Sequence, residues 1–383
     1  MRRILALLLF IAVPALGDNL FVDVNNPEGY ATIAEAVKRA DDGDAIFISE
    51  GFYSETISLE KNVSLIGEGA DKVLLSYAQA GNAINIGANV DTSAHIEGMT
   101  ITAKGGVGID CTSGGSITVL NCVLSRSGQQ GINLHGSASV IRNNQIIENT
   151  NGSLYAQNDQ GSIISNNVIM GNLGGPQDSW RIPGCLFLRD QGANTVVANN
   201  LIKGNNGNGI MLWGSSATLK NNVSVENTGG GIYFHGLNVQ LSAPLITSNI
   251  VANNQSFGLY TRSNATPVIT YNCVFDNVGG DYGDGVSQDV GGIEDDPEFV
   301  NPSKGDYHLQ EGSPCIDTGL TGAAHVDPDG SRNDMGMYGG PLASLWIEPY
   351  NGPVVTGVEV NPASVQQGGT ISIRATGTTV REE

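Results

Sequence analysis

Six residues, spaced by about one repeat each, carry the side chains best suited to chemistry in this chain: His135, Gln157, Arg189, Trp213, His235 and Arg262. Each directly follows a pair of apolar or small residues one position apart: Ile132/Leu134, Leu154/Ala156, Leu186/Leu188, Ile210/Leu212, Ile232/Phe234 and Leu259/Thr261. Side chains of a strand alternate between its faces, so if each pair points inward the residue between points outward. Those intervening residues are Asn133, Tyr155, Phe187, Met211, Tyr233 and Tyr260. The expected result is an aromatic stripe beside a column of imidazole, amide, guanidinium and indole groups. An apolar row of this length marks a binding surface. Aromatic faces flanked by hydrogen-bonding groups are what a sugar chain would use. Two plainer readings compete: residues 173–183 or the carboxy-terminal segment lie across the stripe, or aromatic residues stand outside because they favour strands.

Asp159 and Asp190 fall near this column on adjacent repeats, with Arg189 beside Asp190. Two close carboxylates can share acid and base roles in glycoside cleavage. An arginine beside them serves equally in β-elimination of a uronide. Asp327, Asp329 and Asp334 surround a Gly-containing turn, a grouping that suits oxygen ligation of calcium but lacks a full EF-hand loop. The alternative is that these aspartates cap turns and that Arg332 pairs with one of them. No Ser-His-Asp set, phosphate-binding loop or zinc cluster is present, and no other cofactor is implied.

The elements that must position these groups are written as a repeat. The phrase Asn-(apolar)-(apolar)-x-x-Asn, with Gln145 and Ser224 as its polar exceptions, begins at Asn144, Asn167, Asn200, Asn222, Asn249 and Asn272, in steps of 23, 33, 22, 27 and 23 residues. Asn121 stands a further 23 residues back, and Gly98 another 23 before it. A fixed period of this size is the mark of a solenoid whose repeats bury apolar faces against their neighbours. The apolar residues alternate in short runs broken by Gly and Asn, which reads as strand. Three short strands and three bends fill one repeat, giving an all-β chain: a right-handed parallel β-helix solenoid with a short N-terminal capping helix. With strands about 4.8 Å apart, ten coils make a rod roughly 45–50 Å long. Asparagine suits the bends because it tolerates the left-handed conformation, and stacked carboxamides can bond along the axis.

Only 15% of the 383 residues are charged, yet the formal net charge is −20, which argues against nucleic acid or an anionic membrane as partner. Residues 1–17 read as a secretion signal: Arg2 and Arg3, an apolar run to Val13, then small Ala15 and Gly17 before the expected cleavage point. The run is too short for a spanning helix. Cys111, Cys122, Cys185, Cys273 and Cys315 lack metal-site spacing and read as small buried residues. Cys122 and Cys273 each follow an asparagine of the repeat.

The stretch Tyr30-Ala-Thr-Ile-Ala-Glu-Ala-Val37, Gly43-Asp44-Ala-Ile-Phe-Ile48, Gly51-Phe-Tyr-Ser-Glu55 and Val63-Ser-Leu-Ile-Gly-Glu-Gly69 resembles the amino-terminal cap of pectinesterase-like, pectin-lyase-fold proteins. Thr32 is placed to cap a helix with Glu35 at the capping-box position, and Ile33, Ala36 and Val37 to plug the first coil. The resemblance ends at the cap, so esterase activity is not carried over. Tyr307-His-Leu309, Gly312-Ser-Pro-Cys-Ile-Asp-Thr-Gly319 and 327–339 resemble the carboxy-terminal end of secreted bacterial right-handed parallel β-helix repeat proteins. Residues 354–362 and 368–376 resemble the opening strands of a bacterial immunoglobulin-like module.

The expected organisation is a signal peptide over 1–17, a capped β-helix over 18–277, its carboxy-terminal end over 278–345, and a partial immunoglobulin-like or linker segment over 346–383. The expected function is a secreted or cell-surface monomer that binds an extracellular polysaccharide on its sheet face, with hydrolase or lyase action as an extension. The alternative is a non-catalytic surface or adhesion rod.

Overall fold

The computed structural model describes residues 17–24, 29–159, 161–174, 184–190, 192, 194–236, 243–263, 265–283, 285–286 and 289–343, and the backbone of Val354–Asn361 and Ser372–Thr378. The expected leader, most of 173–183 and the side chains of the tail lie outside the described residues. The chain forms two units, residues 1–345 and 346–383. Described residues of the second unit form an antiparallel hairpin of Val354–Asn361 with Ser372–Thr378.

In the first unit the strands stack into three parallel sheets, one strand of each per coil. Sheet A has eleven strands, from Asn19–Val22 to Val268–Thr270; sheet B has ten, from Gly51–Tyr53 to Cys273–Phe275; sheet C has ten, from Ile57–Leu59 to Tyr282–Gly283. β-Branched and aliphatic residues alternate along these two- to six-residue strands, and their inward members form one continuous core. Ile132, Leu134, Leu186, Ile210 and Phe234 are all fully buried there, each contributing about 1.5–3 kcal/mol of hydrophobic stabilisation.

Both asparagine columns lie inside the corners and are hydrogen-bonded ladders. Asn144 Nδ2 donates to Asn167 Oδ1 (3.1 Å) and to the Val119 carbonyl (3.0 Å), while Asn167 Oδ1 also accepts the Asn144 backbone N–H (3.0 Å). The same pattern runs on through Asn200, Asn222, Asn249 and Asn272, and in the second column from Asn149 to Asn277. Every amide-to-amide bond runs toward the later coil, so the last amide needs an acceptor there. Asp289 Oδ2 receives Asn272 Nδ2 and Asp281 Oδ1 receives Asn277 Nδ2, each at 2.8 Å. A carboxylate ends such a chain well because it leaves no donor of its own unpaired.

The register differs from expectation at one coil. Val123 pairs with Gln145, so Cys122, not Asn121, occupies the first ladder's column, and its backbone N–H donates to Asn144 Oδ1. Asn121 instead aligns with Asn143, Asn166, Asn199 and Asn221, all left-handed with φ between 52° and 57°. The coil there advances by 22 residues, which the regular 23-residue step conceals. In each Asn-Asn doublet the first residue turns the corner with its side chain outward and the second points into the ladder.

Three of those outward asparagines, Asn166, Asn199 and Asn221, have partners 100 or more residues away. After the last coil the chain returns along the A–B corner as a strap. Asn166 Nδ2 donates to the Leu342 carbonyl (3.0 Å), Asn199 Nδ2 to those of Met337 (2.9 Å) and Gly339 (2.7 Å), and Asn221 Nδ2 to Asn333 Oδ1 (2.8 Å). Gly336 lies against Ile250 and Val223. The outer face of sheet B changes accordingly: Met170 is 42% exposed, whereas Val223, Ile250, Ala252 and Cys273 are fully buried. Cys273 is therefore an outward residue and Cys122 an inward one, although both follow an asparagine.

At the other end the short helix α1, Ile33–Arg39, closes the first coil with Ile33 and Ala36 fully buried. Thr32 accepts the Glu35 N–H (3.2 Å), and Glu55 supplies the rest of the cap by accepting the N–H groups of Ile33 and Ala34 (both 2.9 Å).

Candidate functional site

The outward face of sheet C is the surface that the column was expected to occupy, and strand pairing assembles both rows. His135, Gln157, Arg189, Trp213, His235 and Arg262 are successive partners across the parallel strands. Beside them run Asn133, Tyr155, Phe187, Met211, Tyr233 and Tyr260, again one per coil. Alternation places them outside, and the apolar cluster of Met211, Tyr233 and Tyr260 is separate from the main core.

The centre of the face is the Trp213–His235 stack, with ring centroids 4.0 Å apart and planes inclined by 13°. Both rings are half-buried, and Arg262 and His135 are exposed. Desolvation, with the nearby Arg262 charge, holds the His235 imidazole below its ordinary pKa, so at neutral pH it is an uncharged ring. Arg189 pairs with Asp190 at 3.3 Å. Tyr155 donates its hydroxyl to Gln157 Oε1 (2.9 Å) and packs on Phe187 with centroids 5.2 Å apart.

The stripe is not open along its whole length. Met211 is fully buried, Tyr233 is 2% exposed and Tyr260 is 5% exposed, against the expectation of solvent-accessible rings. Tyr233 stacks on Tyr260 (4.4 Å), and Tyr260 leans across Gly230 to donate its hydroxyl to Asn208 Oδ1, two coils away, at 2.7 Å. A Cβ at Gly230 would stand 2.3 Å from the Tyr260 ring, so the absence of a side chain there lets the ring lie down. These two tyrosines shape the floor under Trp213 and His235 and present little of their own faces.

The carboxylates are also placed more specifically than spacing indicated. Asp190 registers with Asn158, since Gln157 pairs with Arg189; both corner residues are left-handed. Asp159 is 3% exposed, enclosed in the corner between sheets C and A, where Oδ1 accepts the Ser137 N–H (3.3 Å). Burial raises its pKa to about 6, despite hydrogen bonds from Ser162 and Ser137.

A polar beginning to the outward row escaped the sequence reading. Asp110, one coil before Asn133, accepts Asn133 Nδ2 (3.2 Å), Asn82 Nδ2 (3.0 Å) and Thr112 Oγ1 (2.9 Å). Asn85 and Ser58 continue the row outward from it. The inward pairs Ile84/Ile86 and Ile109/Cys111 carry the same alternation and would have located it.

Asp327, Asp329 and Asp334 serve the strap's turns. Asp327 accepts the N–H groups of Asp334 and Gly340, Asp329 that of Ser331, and Asp334 that of Asp317. Among the described residues no three such side chains gather as a metal site. Arg332 donates to the carbonyls of Thr318 and Gly319 instead of pairing with an aspartate.

Three parallel sheets wound into one solenoid define the class as a parallel β-helix. A profile described as the right-handed beta helix region matches residues 68–224 and 188–292, together more than half of the chain. The protein belongs to this right-handed β-helix family. Its backbone is similar to that of the pectate lyase Pel9A, with TM-score 0.57 and 15% identity over 85% of this chain and 96% of that one. It is likewise similar to an alginate lyase from Paenibacillus sp. str. FPU-7, with TM-score 0.53 and 18% identity over 70% and 98%. At these identities the likeness is one of fold. No curated protein matches in sequence. No helix among the described residues is long and apolar enough to cross a membrane.

Proposed function

We propose that the outer face of sheet C binds an extracellular polysaccharide, with the Trp213–His235 stack as its central platform. The observation that carries this reading is that stack: two parallel, half-exposed rings on successive coils with arginines at Arg189 and Arg262 on either side. A pyranose presents an apolar C–H face to aromatic rings and hydroxyl or carboxylate oxygens to guanidinium and amide donors. The column of Gln157, Arg189, Trp213, His235 and Arg262 offers both kinds of contact in a line. The two arginines favour an anionic chain. The lyases that share the fold act, by name, on pectate and on alginate, which supports testing anionic polymers first. Cleavage by this face is assigned to the partly exposed Arg189–Asp190 pair, with Asp159 buried in the corner between sheets C and A.

The second reading, a non-catalytic rod, draws on the closed cluster of Met211, Tyr233 and Tyr260, which makes part of the stripe a structural seam. A polysaccharide panel scored for binding and for new reducing or unsaturated ends separates the two. Trp213→Ala should weaken binding of the best ligand by roughly tenfold or more, because one stacking anchor is lost. The fold should survive, since the indole is only half-buried. Unchanged affinity for every glycan tested would move the assignment to the rod.

A further inference from the structure

We propose that Cys273 and Cys315 are a disulfide site that locks the carboxy-terminal strap onto the last full coil. Cys273 stands on the outer face of sheet B, stacked on Ile250, and Cys315 lies in the strap that covers it. Both are fully buried, and their thiols lie within hydrogen-bonding reach of each other. The strap is held in place at this point: Ser313 Oγ donates to the Pro297 carbonyl (2.7 Å) and accepts the Cys315 N–H (3.2 Å), and Met335 N–H donates to the Cys315 carbonyl (2.9 Å). Cys273 Sγ is itself 3.3 Å from the Asp295 carbonyl. The strap's other attachments named above are non-covalent and separately reversible. A bridge here would close a loop containing both ladder terminators, Asp281 and Asp289.

The oxidation requires an oxidant of the disulfide class. One cysteine, as thiolate, attacks a sulfur of oxidised glutathione and displaces glutathione thiolate; the second thiolate then displaces the other glutathione. One S–S bond breaks, one forms, two electrons pass to glutathione, and the two cysteine protons end on its thiols. In the folded chain the neighbouring Cys315 thiol and burial both push the Cys273 thiol above its ordinary range, so little thiolate is available. The bond therefore forms while the strap is docking, and once formed it is shielded from reductants.

The test uses the full chain, unfolded and reduced, then refolded either with reduced glutathione alone or with a reduced and oxidised glutathione mixture. Thiols are counted after denaturation and the linkage is mapped by peptide mass. The oxidised sample should fall from the five cysteine thiols to three, with Cys273 and Cys315 in one linked peptide. Its Tm should rise by about 5 °C or more, and protease cleavage within the strap should slow. Adding the oxidised mixture to already folded protein should give the bridge much more slowly. Five titrating thiols, or a linkage between other cysteines, overturns the proposal. A Cys273–Cys315 bridge that changes neither Tm nor strap proteolysis overturns the locking role. Cys315→Ser should abolish the oxidative gain; if that variant does not fold, the wild-type peptide map decides alone.

Discussion

Asn200 shows what a single carboxamide does in this architecture. Its Nδ2 donates to Asn222 Oδ1, Ile164 O and Ala198 O, and its Oδ1 accepts both the backbone and side-chain N–H of Asn167. Replacing it with leucine leaves buried donors above and acceptors below without partners. Asn200→Leu should destabilise the solenoid by about 1–3 kcal/mol, read as a lowered midpoint in thermal or denaturant unfolding. An unshifted midpoint would show that the ladder is not stabilising. Asp159 works in the opposite sense. Its folded pKa of about 6 lies above the ordinary carboxylate value, so the folded state holds a proton that the unfolded chain releases. Its contribution is neutral below about pH 4, becomes destabilising as pH rises from about 4 to 6, and stays so above that. Asp159→Asn, which keeps the shape without the charge, should melt with the wild type at pH 4 and a few degrees higher at pH 8. A variant that melts lower at both pH values would mean that the charged carboxylate is needed by its partners.

The strap is the element that converts one sheet face from surface to interior. Gly336 packs directly on the solenoid: it is left-handed at φ 93°, and a Cβ there would stand 2.7 Å from Ile250 Cδ1. Both the backbone conformation and the contact exclude a side chain. Gly336→Ala should therefore cost at least about 1 kcal/mol and speed proteolysis between residues 320 and 343 before the solenoid itself is cut. Wild-type cleavage kinetics in that variant would place the strap off sheet B. The outer face of sheet C is built differently. Its seam is closed by its own rings, Tyr233 on Tyr260 on Phe257, while Trp213 and His235 stay half-open beside it.

At the scale of the whole solenoid, stability passes from coil to neighbouring coil, and the two ends need separate closures. Helix α1 covers the first coil with Ile33 and Ala36, and Tyr282 packs against the core at the last, where Asp281 and Asp289 terminate the ladders. Deleting residues 18–40 should expose sheet edges and core together, giving aggregation in size-exclusion chromatography. A soluble, monomeric product with the wild-type circular dichroism spectrum would show that the helix is dispensable as a cap. Trp213→Ala should leave this whole-solenoid behaviour intact while weakening glycan binding, which separates the face from the scaffold.

The period, the strand alternation and the ladder columns were legible in the sequence because they depend on neighbouring coils alone: a residue 22 or 23 positions away is one rung distant. Asn167 beneath Asn144 needs no other information, and neither does the outward direction of Trp213 and His235. The exceptions share a cause. Asn121 reads as a ladder residue by its 23-residue spacing, yet one coil is a residue shorter, and only strand pairing shows that Cys122 fills the column. Asn166, Asn199 and Asn221 read as turn residues; their partners at 333–342 are not periodic and leave no spacing signal. Tyr233 and Tyr260 point outward, as alternation requires, yet are buried, because Tyr260 reaches across Gly230 to Asn208. Direction is a local property of the strand and can be read from the chain. Exposure depends on everything that later packs against that face, and only the tertiary structure decides it.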